Sequence, residues 1–289
     1  MQLNPTNSLK STPKTHKLAI CVPTFNRPKN LAVLVTRLLD SISLVDRNLH
    51  RTVLLFIIDN HSETLTLFND IPIHLLQLTI EIRVIRNSRN IGGDENLALA
   101  AQLGQAADFT WIVGDDDLPA IWSVGYVLQQ IESIPNLGLA ILLGPPDGWD
   151  ALLPLPHIFD NYKQVINFFS NFSVFPTESR GINPILGHTL ISCNVYRSDC
   201  YSSQIFEFVQ DILNPSIGLP INFCHMYSTI HTLLKRDDYR ILFSHPYAIE
   251  AVKLNPSNDQ EQLVHIKTIY HTYINYIRHY AGGYGFTFS

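Results

Sequence analysis

None of the four cysteines, Cys21, Cys193, Cys200 and Cys224, stands in a Cys-x-x-Cys pair. The polar opening residues do not read as a secretory signal, so the cysteines are expected to be buried thiols rather than disulfides or zinc ligands. The twelve histidines are scattered and show no His-Glu-x-x-His or similar spacing, which removes the usual metal-ligand patterns. Basic runs are missing too. A formal net charge of -5 and a pI near 6.2 leave no electrostatic footprint for nucleic acid, which is excluded as a partner. No apolar stretch approaches the roughly 18 residues that span a bilayer, and the run Leu137–Leu143 is far too short. Residues 1–16 carry Asn, Thr, Ser, Pro and scattered Lys, and are expected to form a loose tail. With 16% charged but 46% hydrophobic residues, the remainder, 17–289, is expected to bury a sizeable core as a single domain.

What is present begins with Leu18–Val22, a continuous apolar run typical of a strand buried on both faces, broken by Pro23-Thr24-Phe25-Asn26-Arg27-Pro28. Leu31, Leu34, Val35, Leu38, Leu39 and Ile42 then mark one face of a helix whose first turn holds Pro28. A second buried strand, Thr52–Ile58, ends in the turn-forming Asp59-Asn60-His61-Ser62. A short third strand, Ile82–Ile85, leads into Asn87 to Asn96, where Gly92 and Gly93 permit a tight turn and Asp94 can cap a helix running from about Glu95 to Ala107.

The fourth strand, Phe109–Val113, ends in Gly114 and three consecutive carboxylates, Asp115, Asp116 and Asp117. On extended backbone Asp115 and Asp117 would project to one side and Asp116 to the other. Three acids repel one another unless a cation intervenes, and hard carboxylate oxygens suit Mg²⁺ or Mn²⁺ with a substrate's phosphates completing the shell. The element order is that of an α/β domain with a largely parallel sheet, whose ligands bind at the carboxyl ends of the strands. All four polar segments fall at those ends and are expected to converge on one pocket.

Together these segments resemble a family 2 glycosyltransferase of the GT-A fold: Val22 to Pro28, Ile58 to Ser62, Asn90-Ile91-Gly92-Gly93-Asp94-Glu95-Asn96 and Gly114 to Asp117. In the form of the last two they are similar to the bacterial branch that holds the abequosyltransferases of O-antigen synthesis. The resemblance covers about Leu18 to Ile121. It implies a Rossmann-like, mostly parallel sheet flanked by helices, with residues 17–121 binding a nucleoside-diphosphate sugar and residues 122–289 binding a glycan or glycolipid acceptor. Pro23, Thr24, Asn26, Arg27 and Asp59 would hold the base, with Asn90, Gly92, Asp94 and Asn96 beside the nucleotide. Asp117 would ligate Mn²⁺ or Mg²⁺ in a DXD-type motif. Asp115 and Asp116 would share ribose and metal-bound water, Asp115 serving also as a candidate metal ligand. From the lack of a signal-like opening and of a spanning stretch, the protein is expected to be cytoplasmic, at most peripheral to the inner face of the membrane.

Later in the chain the residues carry less chemistry. Ala120–Ile134 reads as a helix opened by Pro119, and Leu137–Leu143 as a buried strand. The aromatics Trp149, Phe159, Tyr162, Phe168, Phe169 and Phe172 are expected to pack, and His188–Arg197 reads as a strand bordering the acceptor. Inverting transfer in the resembled family uses a general base, usually an Asp in a Glu-Asp pair before a late helix. Here the helix reads as Met226–Lys235 and Cys224-His225 stands in place of the pair, making His225 the candidate base and Asp211 the next. The strand Tyr239–Phe243 follows. Residues 260–280 carry Leu263, Ile266, Tyr270, Tyr273, Ile274 and Ile277 at helical spacing, an amphipathic C-terminal helix expected to pack on the catalytic domain. The competing reading is a nucleotide-sugar-binding protein that lacks a catalytic base.

Overall fold

The computed structural model describes residues 14–64, 75–142, 156–170, 191–201, 205, 209, 224–244 and 249–251. Trp149, Phe172, Asp211 and the amphipathic segment 260–280 lie outside them.

Strand β1 (His16–Thr24) is followed by helix α1 (Pro28–Ser43), the one-turn helix α2 (Arg47–His50) and strand β2 (Val53–Asp59). Next come β3 (Glu81–Arg86), α3 (Gly93–Gly104) and β4 (Ala107–Ile112). All seven residues of β2 are buried, as a run of β-branched and large apolar side chains requires when both faces of a sheet are covered. The expected stripe of α1, Leu31, Leu34, Val35, Leu38, Leu39 and Ile42, is buried without exception. β3 holds only exposed and half-buried residues, and its Glu81, Arg83 and Arg86 discourage pairing by another chain along that edge.

The second half adds β5 (Asp117–Pro119), α4 (Ser123–Ser133), β6 (Leu137–Ile141), β7 (His157–Phe159) and α5 (Tyr162–Ser170). It continues with β8 (Asn194–Arg197), α6 (Cys224–Lys235), β9 (Arg240–Phe243) and β10 (Ile249–Ala251). Eight strands form one sheet in the order β3-β2-β1-β4-β8-β6-β9-β7, and β5 pairs with β10 separately. β1 is parallel to β2 and β4, β2 to β3, and β6 to β9, while β8 runs antiparallel between β4 and β6 and β7 is antiparallel to β9. The chain winds outward from β1 through β2 to β3, then α3 carries it back to β4 on the other side of β1. That reversal is a topological switch point, and the crevice it opens lies at the carboxyl ends of β1 and β4.

Several local expectations are corrected. Asp94 does not cap α3: the N-cap is Gly92, at φ +90°, and Asp94 lies within the first turn, where its charge suits the helix dipole. The helix stops at Gly104. Pro119 does not open a helix; it sits in β5 opposite Ile249, and α4 starts later, at Ser123. α6 begins at Cys224, so His225 lies inside its first turn rather than ahead of it. Cys21, Cys193 and Cys200 are buried free thiols, and Phe159, Tyr162 and Phe168 pack in or against the core, as expected.

β6 shows how closely the second half is packed. A Cβ built on Gly138 would lie 2.6 Å from Tyr239 Cβ, an atom too near the backbone to swing aside. Gly138→Ala should therefore destabilise the fold by about 1–3 kcal/mol through overpacking. A urea midpoint equal to or above that of the parent would contradict this packing.

Candidate functional site

Thr24 is the last residue of β1, and the Asp115–Asp117 triplet follows β4, its parallel neighbour across the switch point. The Thr24 hydroxyl donates to Asp115 Oδ2 at 2.6 Å. Arg27 reaches the same place from the start of α1: its Nη1 donates to Asp115 Oδ1 at 3.0 Å and to Asp116 Oδ2 at 2.9 Å. One guanidinium nitrogen could not serve both acids if they faced opposite ways. The triplet is in fact a turn rather than an extended strand end, closed by the Asp117 N–H bonding Gly114 O at 3.1 Å.

Ser192, which precedes β8, completes that turn. Its hydroxyl accepts the Gly114 N–H at 2.8 Å and also hydrogen-bonds the Asp117 carboxylate, while its carbonyl accepts the Trp111 indole N–H at 2.8 Å. Sequence reasoning did not single it out, since 78 residues separate it from Gly114 and nothing local marks the partnership.

A second group of residues gathers at the ends of β2 and β3. Asn60 is buried, and its amide N–H groups donate to Asn90 Oδ1 at 2.8 Å and Gly92 O at 3.2 Å. Its amide oxygen accepts from Asn87 Nδ2 at 3.0 Å and the Ile91 N–H at 2.9 Å. Asn87 also donates to Asn96 Oδ1 at 3.0 Å. The Gly92 N–H donates to Asn90 Oδ1 at 2.9 Å. This network holds the backbone at Gly92 in a conformation that a side chain would strain. Asn60 was expected only as a turn former and Asn87 was given no role; here they are the centre of the arrangement.

The two groups are bridged by the loops after β1 and β2. The Asn26 N–H donates to Ser62 Oγ at 2.8 Å, and the Glu63 N–H returns a bond to Asn26 Oδ1 at 2.9 Å. Asn26 and His61 both adopt left-handed backbone, at φ 55° and 67°, a conformation in which Asn and His are enriched. Asp59 lies between them, fully buried. Its Oδ1 accepts the Ser62 N–H at 3.0 Å, whereas Oδ2 has no hydrogen bond among the described residues and lies 3.5 Å from Arg86 Nε. Pro23 is embedded in β1 opposite Ile58 and contributes no polar contact among those described.

α6 precedes β9, which runs in the same sense as β1 and β4, and His225 lies in the first turn of α6. The side chain of His225 falls outside the described residues.

Charge is unevenly settled in the triplet. Burial pushes the Asp115 carboxyl above its ordinary 3.8, opposed by Thr24 and Arg27. Burial likewise raises Asp117, opposed only by the Ser192 hydroxyl and reinforced by the charges of Asp116 and Asp115. Two hard, desolvated, mutually repelling carboxylates fit a divalent cation in chemistry. Among the described residues no group of three or more His, Cys, Asp or Glu is assembled for one, so a substrate's oxygens would have to complete the shell.

Because their folded values are raised, Asp115 and Asp117 hold protons more tightly in the folded protein than in the unfolded chain. Stability from these two groups therefore rises as the pH falls from above their folded values toward 3.8. In chelator, Asp117→Asn should melt at a higher temperature than the parent at pH 7, and the gap should close as the pH approaches 3.8. A melting temperature at pH 7 no higher than that of the parent would mean that Asp117 is not under electrostatic strain.

No protein-family model matches the chain, and no curated protein matches it. Solved structures do. TarS 1-349 of S. aureus matches at TM-score 0.51 and 16% identity, over 93% of this chain and 74% of that one. The longer S. aureus TarS matches at TM-score 0.50 and 17% identity, over 86% of this chain but only 39% of its own length. The UDP complex of TarS 1-349 is spanned over 59% of its length. TarS 1-349 has also been crystallised with UDP-GlcNAc. At these identities the likeness concerns the architecture: the chain has the GT-A fold, a mixed and mostly parallel sheet flanked by helices.

Proposed function

We propose that the chain is a glycosyltransferase that moves one sugar from a nucleoside-diphosphate sugar to a hydroxyl of a glycan or glycolipid, with inversion at the anomeric carbon. The observation that carries this reading is the junction of Thr24, Arg27 and the Asp115–Asp117 turn at the switch point of a GT-A sheet. That is where open α/β sheets bind nucleotides. The fully buried Asp59 Oδ2, lacking a hydrogen bond among the described residues, suits an N–H of the base. Asn90, Gly92 and Asn96, tied together through Asn60 and Asn87, would stand beside the nucleotide together with Asp94 in the first turn of α3, and Asn26 fixes the loop opposite. Asp117 and Asp115 would hold Mn²⁺ or Mg²⁺, which supplies charge stabilisation to the diphosphate as it leaves. Asp116, half exposed and bonded to Arg27, would meet metal-bound water.

The finer assignment to family 2, and within it to the abequosyltransferase-like branch, is supported by the Asn90 to Asn96 and Gly114 to Asp117 motifs. In this reading residues 17–121 bind the donor and 122–289 the acceptor, and the protein works in the cytoplasm, touching the membrane at most peripherally. No helix among the described residues is long and apolar enough to cross a membrane. His225 removes the acceptor's proton, a role supported by the position of its backbone in the first turn of α6, with Asp211 as the alternative base.

The competing reading is a nucleotide-sugar-binding protein without catalysis, favoured by the absence of an acidic pair at the start of α6. Slow hydrolysis of candidate donors in Mn²⁺ separates the two, since an enzyme leaks to water and a binder does not.

A thermal-shift panel of nucleoside diphosphates, with and without Mn²⁺, tests the donor site through ligand linkage. At least one diphosphate should stabilise the protein in Mn²⁺, Asp117→Asn should abolish the metal-dependent part, and Asp59→Asn should weaken binding by about 1–3 kcal/mol. Equal stabilisation by bare pyrophosphate would remove Asp59 from base recognition. For the chemical step, His225→Ala should lower kcat by roughly 10²–10⁴ with donor affinity nearly unchanged. A variant that keeps full turnover would move the role to Asp211.

A further inference from the structure

Arg27 is the only cation bonded to the acid triplet among the described residues, and its position does not fit a purely structural part. Its backbone is fixed: the carbonyl accepts the Leu31 N–H at 3.0 Å as the N-cap of α1, Pro28 follows, and Asn26 before it is pinned to Ser62 and Glu63. Its side chain is different. It is 51% exposed, gives α1 no capping bond, and spends one guanidinium nitrogen on Asp115 and Asp116 together.

With Thr24 on one oxygen of Asp115 and Arg27 on the other, neither oxygen of that carboxylate is free of a protein donor. A divalent cation approaching the turn meets a positive charge already seated against two of its three acids. Like charges a few ångströms apart repel strongly in a partly desolvated cleft. A diphosphate changes the balance, because a guanidinium fork pairs with phosphate oxygens as well as with carboxylates. A long side chain on a fixed backbone can exchange one for the other without moving α1.

We infer that Arg27 is an internal counter-ion of the acid turn, displaced from Asp115 and Asp116 by a divalent cation and drawn off by a diphosphate, so that metal and nucleoside diphosphate bind cooperatively. The inference rests on the donor site proposed above and adds to it an order of events: the metal-free protein is neutralised from within, and the charged donor unlocks the metal seat. Such coupling must be reciprocal, each ligand tightening the other by the same factor.

The test is titration of the full chain with Mn²⁺ alone, followed by electron paramagnetic resonance of the free ion, and again with saturating nucleoside diphosphate. The parent should bind Mn²⁺ at least tenfold more tightly with the diphosphate. Arg27→Gln should bind Mn²⁺ alone at least fivefold more tightly than the parent, with the enhancement by diphosphate correspondingly reduced, and Arg27→Lys, which keeps the charge, should stay near the parent. A folded Arg27→Gln that binds Mn²⁺ alone no more tightly than the parent overturns the inference. So does a parent that binds the metal equally well with and without the diphosphate, a measurement that needs no variant. Failure of every nucleoside diphosphate to bind would instead count against the donor site, while the comparison in Mn²⁺ alone would still decide the role of Arg27.

Discussion

Strands β1, β2 and β4 are covered on both faces, and that burial decides where chemistry can sit in this protein. A charged group placed midway along such a strand would cost several kcal/mol unless fully paired. The interior residues from Leu18 to Val22 and from Val53 to Ile58 are accordingly all apolar, and the polar side chains of the site appear where the backbone leaves the sheet. Since β1 to β4 run parallel, those exits share one edge. Reversal of the winding after β3 then sets the ends of β1 and β4 side by side, bringing Thr24 within 2.6 Å of Asp115 although 91 residues separate them.

Confinement to one edge concentrates negative charge as well. The turn that follows β4 places three carboxylates within reach of one another, and burial makes the ionised forms of Asp115 and Asp117 more costly still. Thr24, Arg27 and Ser192 each relieve part of that cost, and they come from three different elements, so the turn is held only when β1, the start of α1 and the approach to β8 are all in place. The relief is incomplete at Asp117. Such residual strain is tolerable because ligands that bind only the folded state recover it by mass action.

How much of this could be read from the residues follows from the range of the interactions. The buried stripe of α1 and the apolar runs of β1 and β2 are local patterns with one physical solution, and so are the polar strand ends. Parallel pairing turns those ends into a site with no further information. The triplet reads as extended from its neighbours alone because, although a local Asp117 to Gly114 bond closes the turn, the side chains that brace it, Arg27 and Ser192, are far away in the chain. Pro119 was misread for the same reason, its partner Ile249 being 130 residues on. With Asp94 the competition was local. Asp is a good capping residue, but Gly92 two positions earlier can take φ +90° while its carbonyl receives Asn60, and that combination decides where α3 starts.

The two sides of the site obey different physics, and the division has consequences for recognition. Around Asn60 nearly every amide donor and acceptor is matched within the protein, so the wall formed by Asn87, Asn90, Gly92 and Asn96 is neutral and rigid. A ligand gains little energy from groups already bonded to one another, but it meets a fixed shape. Around Asp115 the balance is reversed: charges are only partly compensated, Arg27 is half exposed, and incoming charge must rearrange what it finds. On the proposed reading, discrimination between donors would fall to the amide wall and Asp59, where a misfit cannot relax, and affinity to the acid turn, where a diphosphate and its cation would do the electrostatic work. A sheet that can carry polar groups only at its ends has thus divided one edge into a surface that selects and a surface that binds.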